Sequence, residues 1–306
     1  MQAASKLEIN MPLNVGIIGL GIMGGAIARN LLVNNFQVRG CDILDANVQK
    51  LVTLGGTSSL SPKGVAIESD VIITSLPSIT TFHDVITGKN GIKGSNKDGL
   101  IIIECSTLPL EDKQSAHDAL AESNIILLDC PISGTGAQAV NCDLSVYVSG
   151  NKTAAQTLTP VFEAFAKSHF YVGDFGNGSR MKFIANHLVH IHNVATAEAM
   201  VLGMKAGLDP AAIFNVVKEG AGNSRIFELR GPMMVDDKYD DATMKMDVWQ
   251  KDMNTIDEFI DSLGCSTPMF DAGKDIYNAA ISQGMEKLDT ASVCRVLEKM
   301  SGLKRK

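Results

Sequence analysis

Lys182 and Asn186 are the residues whose types and spacing most directly suggest chemistry. They follow a turn rich in small residues, Gly176-Asn-Gly-Ser-Arg-Met-Lys182, after which neither Gly nor Pro recurs until Gly203. A helix puts residues four apart on one face. Their neighbours Met181, Phe183, Ile184, Leu188, Val189 and Ile191 are apolar, which predicts a largely buried helix. A lysine and an amide inside such a helix need partners, because unpaired polar groups away from water are costly. Such a lysine either snorkels to water or serves as an acid–base group beside a carboxamide that can hold a substrate oxygen.

A second constellation lies near the start of the chain. The apolar run at 14–19 reads as a buried parallel strand and leads into Gly19-Leu20-Gly21-Ile22-Met23-Gly24, followed by apolar residues at helical spacing. Strand, G-x-G-x-x-G and helix in that order form a dinucleotide-binding turn. Its glycines allow a tight turn and close approach of the pyrophosphate, which the helix N-terminus then attracts. The next apolar run, 36–42, ends in Asp42. A carboxylate there accepts hydrogen bonds from the adenosine ribose and repels a 2′-phosphate, which predicts NAD over NADP. Arg39, earlier in the same run, pulls the other way.

These residues must be positioned by the elements around them. Apolar runs at 70–76, 100–107, 124–130, 144–150 and 169–173 alternate with helical stretches, predicting an α/β fold with a doubly wound, mostly parallel sheet. Ligands bind at the carboxyl ends of such strands, which places Leu76-Pro77, Ser106-Thr107 and Ser133-Gly134 on the rim of the glycine loop. The backbone N–H groups of Ser133-Gly134-Thr135-Gly136 could cradle a carboxylate there, although the same pattern also makes an ordinary turn. Beyond about residue 175 only helical runs remain, at 178–206, 210–219, 242–263, 267–282 and 290–300. The expected organisation is an N-terminal extension (1–12), a Rossmann domain (13–174) and an all-α domain (175–306), joined through the long helix with a cleft beside Lys182.

In the helical half, residues 221–230 read as a polar insertion between helices that offers Asn223, Ser224, Arg225 and Arg230 to a ligand. Lys251-Asp252 reads as an exposed helical charge pair, or as a ligand contact. His187, His190 and His192 have no nearby carboxylate to complete a metal set, so they are expected in the core, and no metal site is predicted. The composition, 45% hydrophobic and 20% charged over 306 residues, is that of an ordinary globular protein. A net charge of −7 argues against nucleic acid or an anionic membrane as partner. The opening residues lack the apolar core of a signal peptide, and no apolar run reaches membrane-spanning length. Six cysteines without C-x-x-C spacing suggest reduced thiols and a cytoplasmic protein.

Taken together, Gly19-L-G-I-M-G, Asp129-C-P-I-S-G-T-G, Gly176-N-G-S-R-M-K-F-I-A-N and Lys251-D-M resemble the β-hydroxyacid dehydrogenases in order and spacing. That family includes 3-hydroxyisobutyrate dehydrogenase, tartronate semialdehyde reductase and L-threonate dehydrogenase. Ala221-G-N-S-R-I-F-E-L-R and His190-I-H-N-V-A-T-A-E-A-M look most like the L-threonate branch. The resemblance implies that Lys182 is the catalytic lysine and Asn186 its substrate-positioning partner. It gives the substrate carboxylate to Ser133 and Gly134, with Thr135 beside them and Asn223 as a further substrate contact. Leu76, Pro77 and Thr107 would lie against the nicotinamide ribose, and Lys251 near the cofactor. Thr135 departs from the family, whose loop usually reads S-G-G, and this predicts a narrower carboxylate pocket or a redirected hydroxyl contact.

The implied reaction is NAD-dependent oxidation of the C3 hydroxyl of a short hydroxycarboxylate, with Lys182 as general base and acid. To act as a base, Lys182 must lose its proton near neutral pH. The alternative substrates are those of 3-hydroxyisobutyrate dehydrogenase and tartronate semialdehyde reductase, and the non-enzyme alternative is a catalytically silent NAD-binding sensor. The family also implies a homodimer or homotetramer.

Overall fold

The computed structural model describes residues 13–305, so the expected extension at 1–12 lies outside the described residues. Six short strands form one parallel sheet: β1 (Asn14–Ile18), β2 (Gln37–Cys41), β3 (Thr57–Ser58), β4 (Val71–Thr74), β5 (Ile101–Glu104) and β6 (Ile126–Asp129), in the order β3-β2-β1-β4-β5-β6; β3, two exposed polar residues at the edge, shows no apolar run in the sequence. The order runs outward in both directions from β1, so the crossover helices cover both faces, as a doubly wound fold requires. The register explains why β1, β4, β5 and β6 are mostly apolar along their whole length. Ile17, Ile73, Ile103 and Leu128 form one row, and all pack into the core on one face. Ile72, Ile102 and Leu127 form the neighbouring row and fill the core on the other face. A strand buried on both sides loses the alternation of a half-exposed one.

The remaining strands depart from the expected single sheet. β7 (Ile132–Ser133), β8 (Ser145–Val148) and β9 (Ser168–Tyr171) form a separate three-stranded sheet in which β7 runs antiparallel to β8 and β9 runs parallel to it. Among the described residues, the isolated Asp129–Ser149 bridge links the two sheets. β7 falls within a stretch that reads as a loop, because two residues between Pro131 and Gly134 are too few to show a period.

The helix Asn177–Lys205 runs 29 residues without a break. Pro210–Val217, Arg225–Asp236, Met246–Leu263, Pro268–Ser282 and Val293–Met300 follow it. The contacts divide the chain into two units, Met1–Lys182 and Phe183–Lys306, so the division falls inside the long helix. Arg225–Asp236 corrects the reading of 221–230 as an insertion. Ser224 caps that helix by accepting the Phe227 N–H at 3.0 Å, a start signal that the surrounding polar residues mask.

The long helix also corrects an expectation. Met181, Ile184 and Leu188 are 40%, 55% and 48% exposed, whereas Ser179, Lys182, Asn186, His190 and Asn193 are all buried. Its buried side therefore mixes these polar residues with Phe183, Val194, Ala197, Met200 and Val201, while part of its exposed side is apolar, which departs from the usual amphipathic pattern. Among the described residues, no helix is long and apolar enough to cross a membrane, and no group of three or more His, Cys, Asp or Glu is placed to hold a metal ion.

Candidate active site

β1, β4, β5 and β6 end in register, since Ile18 pairs with Thr74, Thr74 with Glu104 and Glu104 with Asp129. The loops that follow leave the sheet along one edge, and these carry Gly19–Gly24, Leu76-Pro77, Ser106-Thr107 and Ser133–Thr135. The glycine loop is shaped by close approach. Gly19 lies at φ +87°, and a Cβ there would strike the Ser75 carbonyl oxygen. A Cβ at Gly24 would strike the Gly19 carbonyl. A Cβ at Gly21 would meet nothing within 4 Å among the described residues. Two glycines thus let the backbone close up, and the third faces open space at the N-cap of helix Ile22–Val33. A space bounded by the unpaired N–H groups of a helix start fits a dinucleotide pyrophosphate.

Asp42 follows β2, and its carboxylate is oriented by that loop. Oδ2 accepts the Leu20 N–H at 2.6 Å and Oδ1 accepts the Leu44 N–H at 2.8 Å. Arg39 is engaged elsewhere, with Nη2 at 2.6 Å from Glu68 and Nη1 donating to the Ser58 carbonyl. Leu76 is buried and its N–H donates to Ser106 Oγ at 2.8 Å, while Pro77 is exposed and Thr107 half-buried. Ile22 is exposed, and its side chain fills the space where a Cβ on Gly136 would lie, so the glycine loop and the Ser133–Gly136 stretch pack together.

In that stretch Gly134 takes φ +140°, in the range that favours glycine. Thr135 caps the short helix Gly136–Val140. Its hydroxyl accepts from the Gln138 N–H, and its own N–H donates to Gln138 Oε1 at 3.0 Å. The threonine that departs from the family pattern is therefore occupied by a capping box.

Lys182 and Asn186 retain 8% and 4% of their exposure and lie one helical turn apart. The first turn of their helix is anchored by groups to which the motifs gave no role. Asp129, at the end of β6, accepts the Ser179 N–H on Oδ2 and the Ser179 hydroxyl on Oδ1, both at 2.7 Å. Ser149 donates to Asp129 and accepts the Gly178 N–H at 2.9 Å. Lys113, fully buried, donates to Asp129 Oδ1 (2.8 Å), Ser179 Oγ (3.1 Å) and the Ser106 carbonyl (2.7 Å), and lies 3.9 Å from Glu104. Burial works against the Lys113 ammonium, but Asp129 and Glu104 outweigh it and raise its pKa above the ordinary lysine value. Glu104 accepts the Ser106 N–H at 2.8 Å and the Thr74 hydroxyl at 2.7 Å. The available signal was a carboxylate ending two apolar runs, Ile-Ile-Ile-Glu104 and Ile-Leu-Leu-Asp129, since a charge at the end of a buried strand needs a partner.

The remaining candidates lie in the helical unit. Asn223 and Arg225 both donate to Glu228, at 2.8 and 3.0 Å, and these bonds, that from Asn223 first, hold its carboxyl below the usual range. Arg230 is buried, with Nε 3.8 Å from Asp289 and its guanidinium 5.9 Å from the Trp249 ring, so it belongs to the interior of this unit. Lys251 Nζ lies 3.3 Å from Asp252, whose side chain is mostly buried, so the pair is less exposed than a surface reading implies. His187 stacks on Phe270, and His190 packs between Phe270 and Tyr277 with Nε2 at 3.1 Å from the Phe270 carbonyl, as core histidines do.

A doubly wound sheet with this glycine loop, followed by a helical unit, defines a nicotinamide-dependent oxidoreductase, and the comparisons with known proteins agree. The NAD binding domain of 6-phosphogluconate dehydrogenase matches residues 14–173, and the model for NAD-binding of NADP-dependent 3-hydroxyisobutyrate dehydrogenase matches 176–297. The L-threonate dehydrogenase of Cupriavidus necator is 30% identical, with 94% of this chain and 96% of that protein covered. The 2-(hydroxymethyl)glutarate dehydrogenase of Eubacterium barkeri is 28% identical over 95% and 97%. The crystal structure of 3-hydroxyisobutyrate dehydrogenase (ygbJ) from Salmonella typhimurium superposes with a TM-score of 0.84 at 29% identity, covering 93% of this chain and 99% of that one. The chain belongs to the β-hydroxyacid dehydrogenase family, of the 3-hydroxyisobutyrate dehydrogenase type. It is an NAD-binding dehydrogenase acting on CH–OH groups.

Proposed function

We propose that this enzyme oxidises the C3 hydroxyl of a short hydroxylated carboxylate such as L-threonate, with Lys182 as general base and acid. The observation that carries the proposal is a buried lysine one turn before a buried asparagine, on a helix whose first turn is tied to the end of β6. NAD, when bound, supplies the acceptor for the hydride lost from C3. Lys182 takes the hydroxyl proton, and Asn186 donates its amide N–H to the same oxygen, holding it in line. In reduction Lys182 returns the proton. Oxidation therefore speeds up as pH rises and the lysine loses its proton, and reduction slows.

Ser133 and Gly134 take the substrate carboxylate, because the N–H and hydroxyl of Thr135 are already held by Gln138. Gly19 through Gly24 hold the pyrophosphate, and Leu76, Pro77 and Thr107 flank the nicotinamide ribose. Asp42 accepts from the adenosine ribose and disfavours NADP. Asn223 toward substrate and Lys251 toward cofactor rest on the family resemblance. The Oδ1 of Asn223, buried with no hydrogen-bond partner among the described residues, is an acceptor that suits a hydroxylated substrate. We place the functional boundary at 174/175, ahead of the long helix. We further propose a homodimer or homotetramer, supported by the exposed Met181, Ile184 and Leu188, and a cytoplasmic location, supported by six free cysteines.

The test is NADH formation with L-threonate, D-erythronate, 3-hydroxyisobutyrate and glycerate, run with NAD and NADP separately. L-threonate should turn over fastest, and Lys182→Ala should lower kcat about a hundredfold or more while leaving the protein folded. Preference for 3-hydroxyisobutyrate or glycerate would move the assignment to the related dehydrogenase or reductase. Tight NAD binding without turnover of any substrate would favour a silent sensor.

A further inference from the structure

Lys113, Glu104 and Asp129 are all fully buried, yet none is among the residues that the reaction needs. Their hydrogen bonds lead to two places that it does need. From Glu104, bonds run to both the N–H and the hydroxyl of Ser106, and Ser106 Oγ accepts the Leu76 N–H. From Asp129, bonds run to the N–H and hydroxyl of Ser179, which precedes Lys182 by three residues and shares its helix face. Lys113 joins the two halves. Its three donors are matched by three acceptors: the Ser106 carbonyl, next to Thr107, Asp129 and Ser179. Each ammonium proton has one acceptor, so the lysine cannot shift toward one partner without leaving another.

We propose that Glu104, Lys113, Asp129 and Ser179 are positioning residues that lock the Leu76–Thr107 loops and the first turn of the Lys182 helix into one rigid frame. The proposal rests on the reading of Lys182 as the catalytic base and adds a cause for its placement. A helix start held only by its own bonds frays, and a misplacement of about 1 Å at a reacting group can cost about a hundredfold in rate. An apolar interior could seal this region equally well. What the charged frame adds is direction, because each bond fixes an angle as well as a distance.

The test uses the full-length protein and two mild substitutions, Ser179→Ala and Glu104→Gln, with Ser179→Thr to restore the hydroxyl. In Ser179→Ala we expect kcat to fall about 10- to 100-fold, the pH profile of kcat to shift, and KM and NADH affinity to stay within about twofold. Ser179→Thr should recover most of the loss. Reaction of Lys182 with cyanate as a function of pH, read by peptide mass spectrometry, should show an altered profile in Ser179→Ala whether or not the right substrate is in hand. If Lys182→Ala abolishes turnover but folded Ser179→Ala and Glu104→Gln keep wild-type kcat, pH profile and cyanate profile, the positioning role is wrong and the base assignment stands. If Lys182→Ala retains turnover, the base assignment itself is wrong. The cyanate profiles then decide separately whether the frame sets the environment of Lys182.

Discussion

Two of the buried polar clusters among the described residues are built on opposite plans. In the nucleotide-binding unit, Glu104, Lys113, Asp129 and Ser179 form a charged set in which every donor of Lys113 has an acceptor. In the helical unit, the neutral groups His190, Asn193, Tyr277 and Ser292 gather beside the buried Arg230–Asp289 pair. Asn193 donates to the Tyr277 hydroxyl at 2.7 Å and to the Thr290 carbonyl at 2.9 Å, and Asp289 accepts the N–H groups of Thr243 and Met244. Yet His190 Nδ1, Asn193 Oδ1, Arg230 Nη1 and Ser292 Oγ meet no protein partner among the described residues. Saturation fixes geometry, whereas free valences leave a cluster able to adapt, with water as the natural partner for such groups. The difference teaches that burial alone does not mark a polar residue as a positioning device; completeness of its bonding does.

The sharpest way to break this comparison is Lys113→Met. Removing the ammonium leaves Asp129 and Glu104 facing each other without a counter-charge, and the expected cost is about 3–5 kcal/mol in urea unfolding. A loss below about 1 kcal/mol would show that the charged set is no more binding than its counterpart in the helical unit.

Acid should expose the other cluster next. Burial pushes His190 down to about 4, against a contribution from its bond to the Phe270 carbonyl, with His187, Lys274 and Asp257 also acting on it. Its folded value lies below the unfolded one, so between about pH 6.5 and 4 the unfolded chain binds the proton first. Stability from this group is therefore complete above pH 6.5 and declines as pH falls to about 4, by about 3 kcal/mol in all. Comparing wild type with His190→Phe across that range isolates the histidine, and parallel stability curves would refute the assignment.

The smallest effect is a paired one. Ser179→Ala removes an acceptor from Lys113 and a donor from Asp129, and should cost about 1–3 kcal/mol. Ser292→Ala removes a hydroxyl with no protein partner, and should change stability by no more than about 0.5 kcal/mol. Equal losses at the two serines in thermal unfolding would erase the distinction between the clusters.

How much of this was legible in the sequence follows the same divide. The strand, glycine turn and helix at 14–33 could be read directly, because a dinucleotide loop imposes local rules: a buried strand, glycines where the backbone closes up, then an amphipathic run. Lys182 and Asn186 stood out for the same reason, as polar residues in an apolar context four apart. Three things stayed hidden. β7 is too short to show a period and exists only because β8 pairs with it. The helix at Arg225 begins among polar residues, so its cap looked like ligand chemistry. The long helix buries polar residues such as Ser179 and His190 because their partners, Asp129 and Phe270 among them, lie tens of residues away in sequence, and hydrophobic patterning assumes that apolar means inside.

Asp42 carries a consequence for how this enzyme could change cofactor. Its carboxylate braces Leu20 in the glycine loop and Leu44 at the head of the next helix. The group that would discriminate against a 2′-phosphate is thus also a strut of the loop that grips the pyrophosphate. On the proposed cofactor role of Asp42, its replacement by a small residue should relax selectivity and loosen the loop in one step. Under that reading, a variant designed for the phosphorylated cofactor needs a second group to take over the Leu20 and Leu44 N–H bonds.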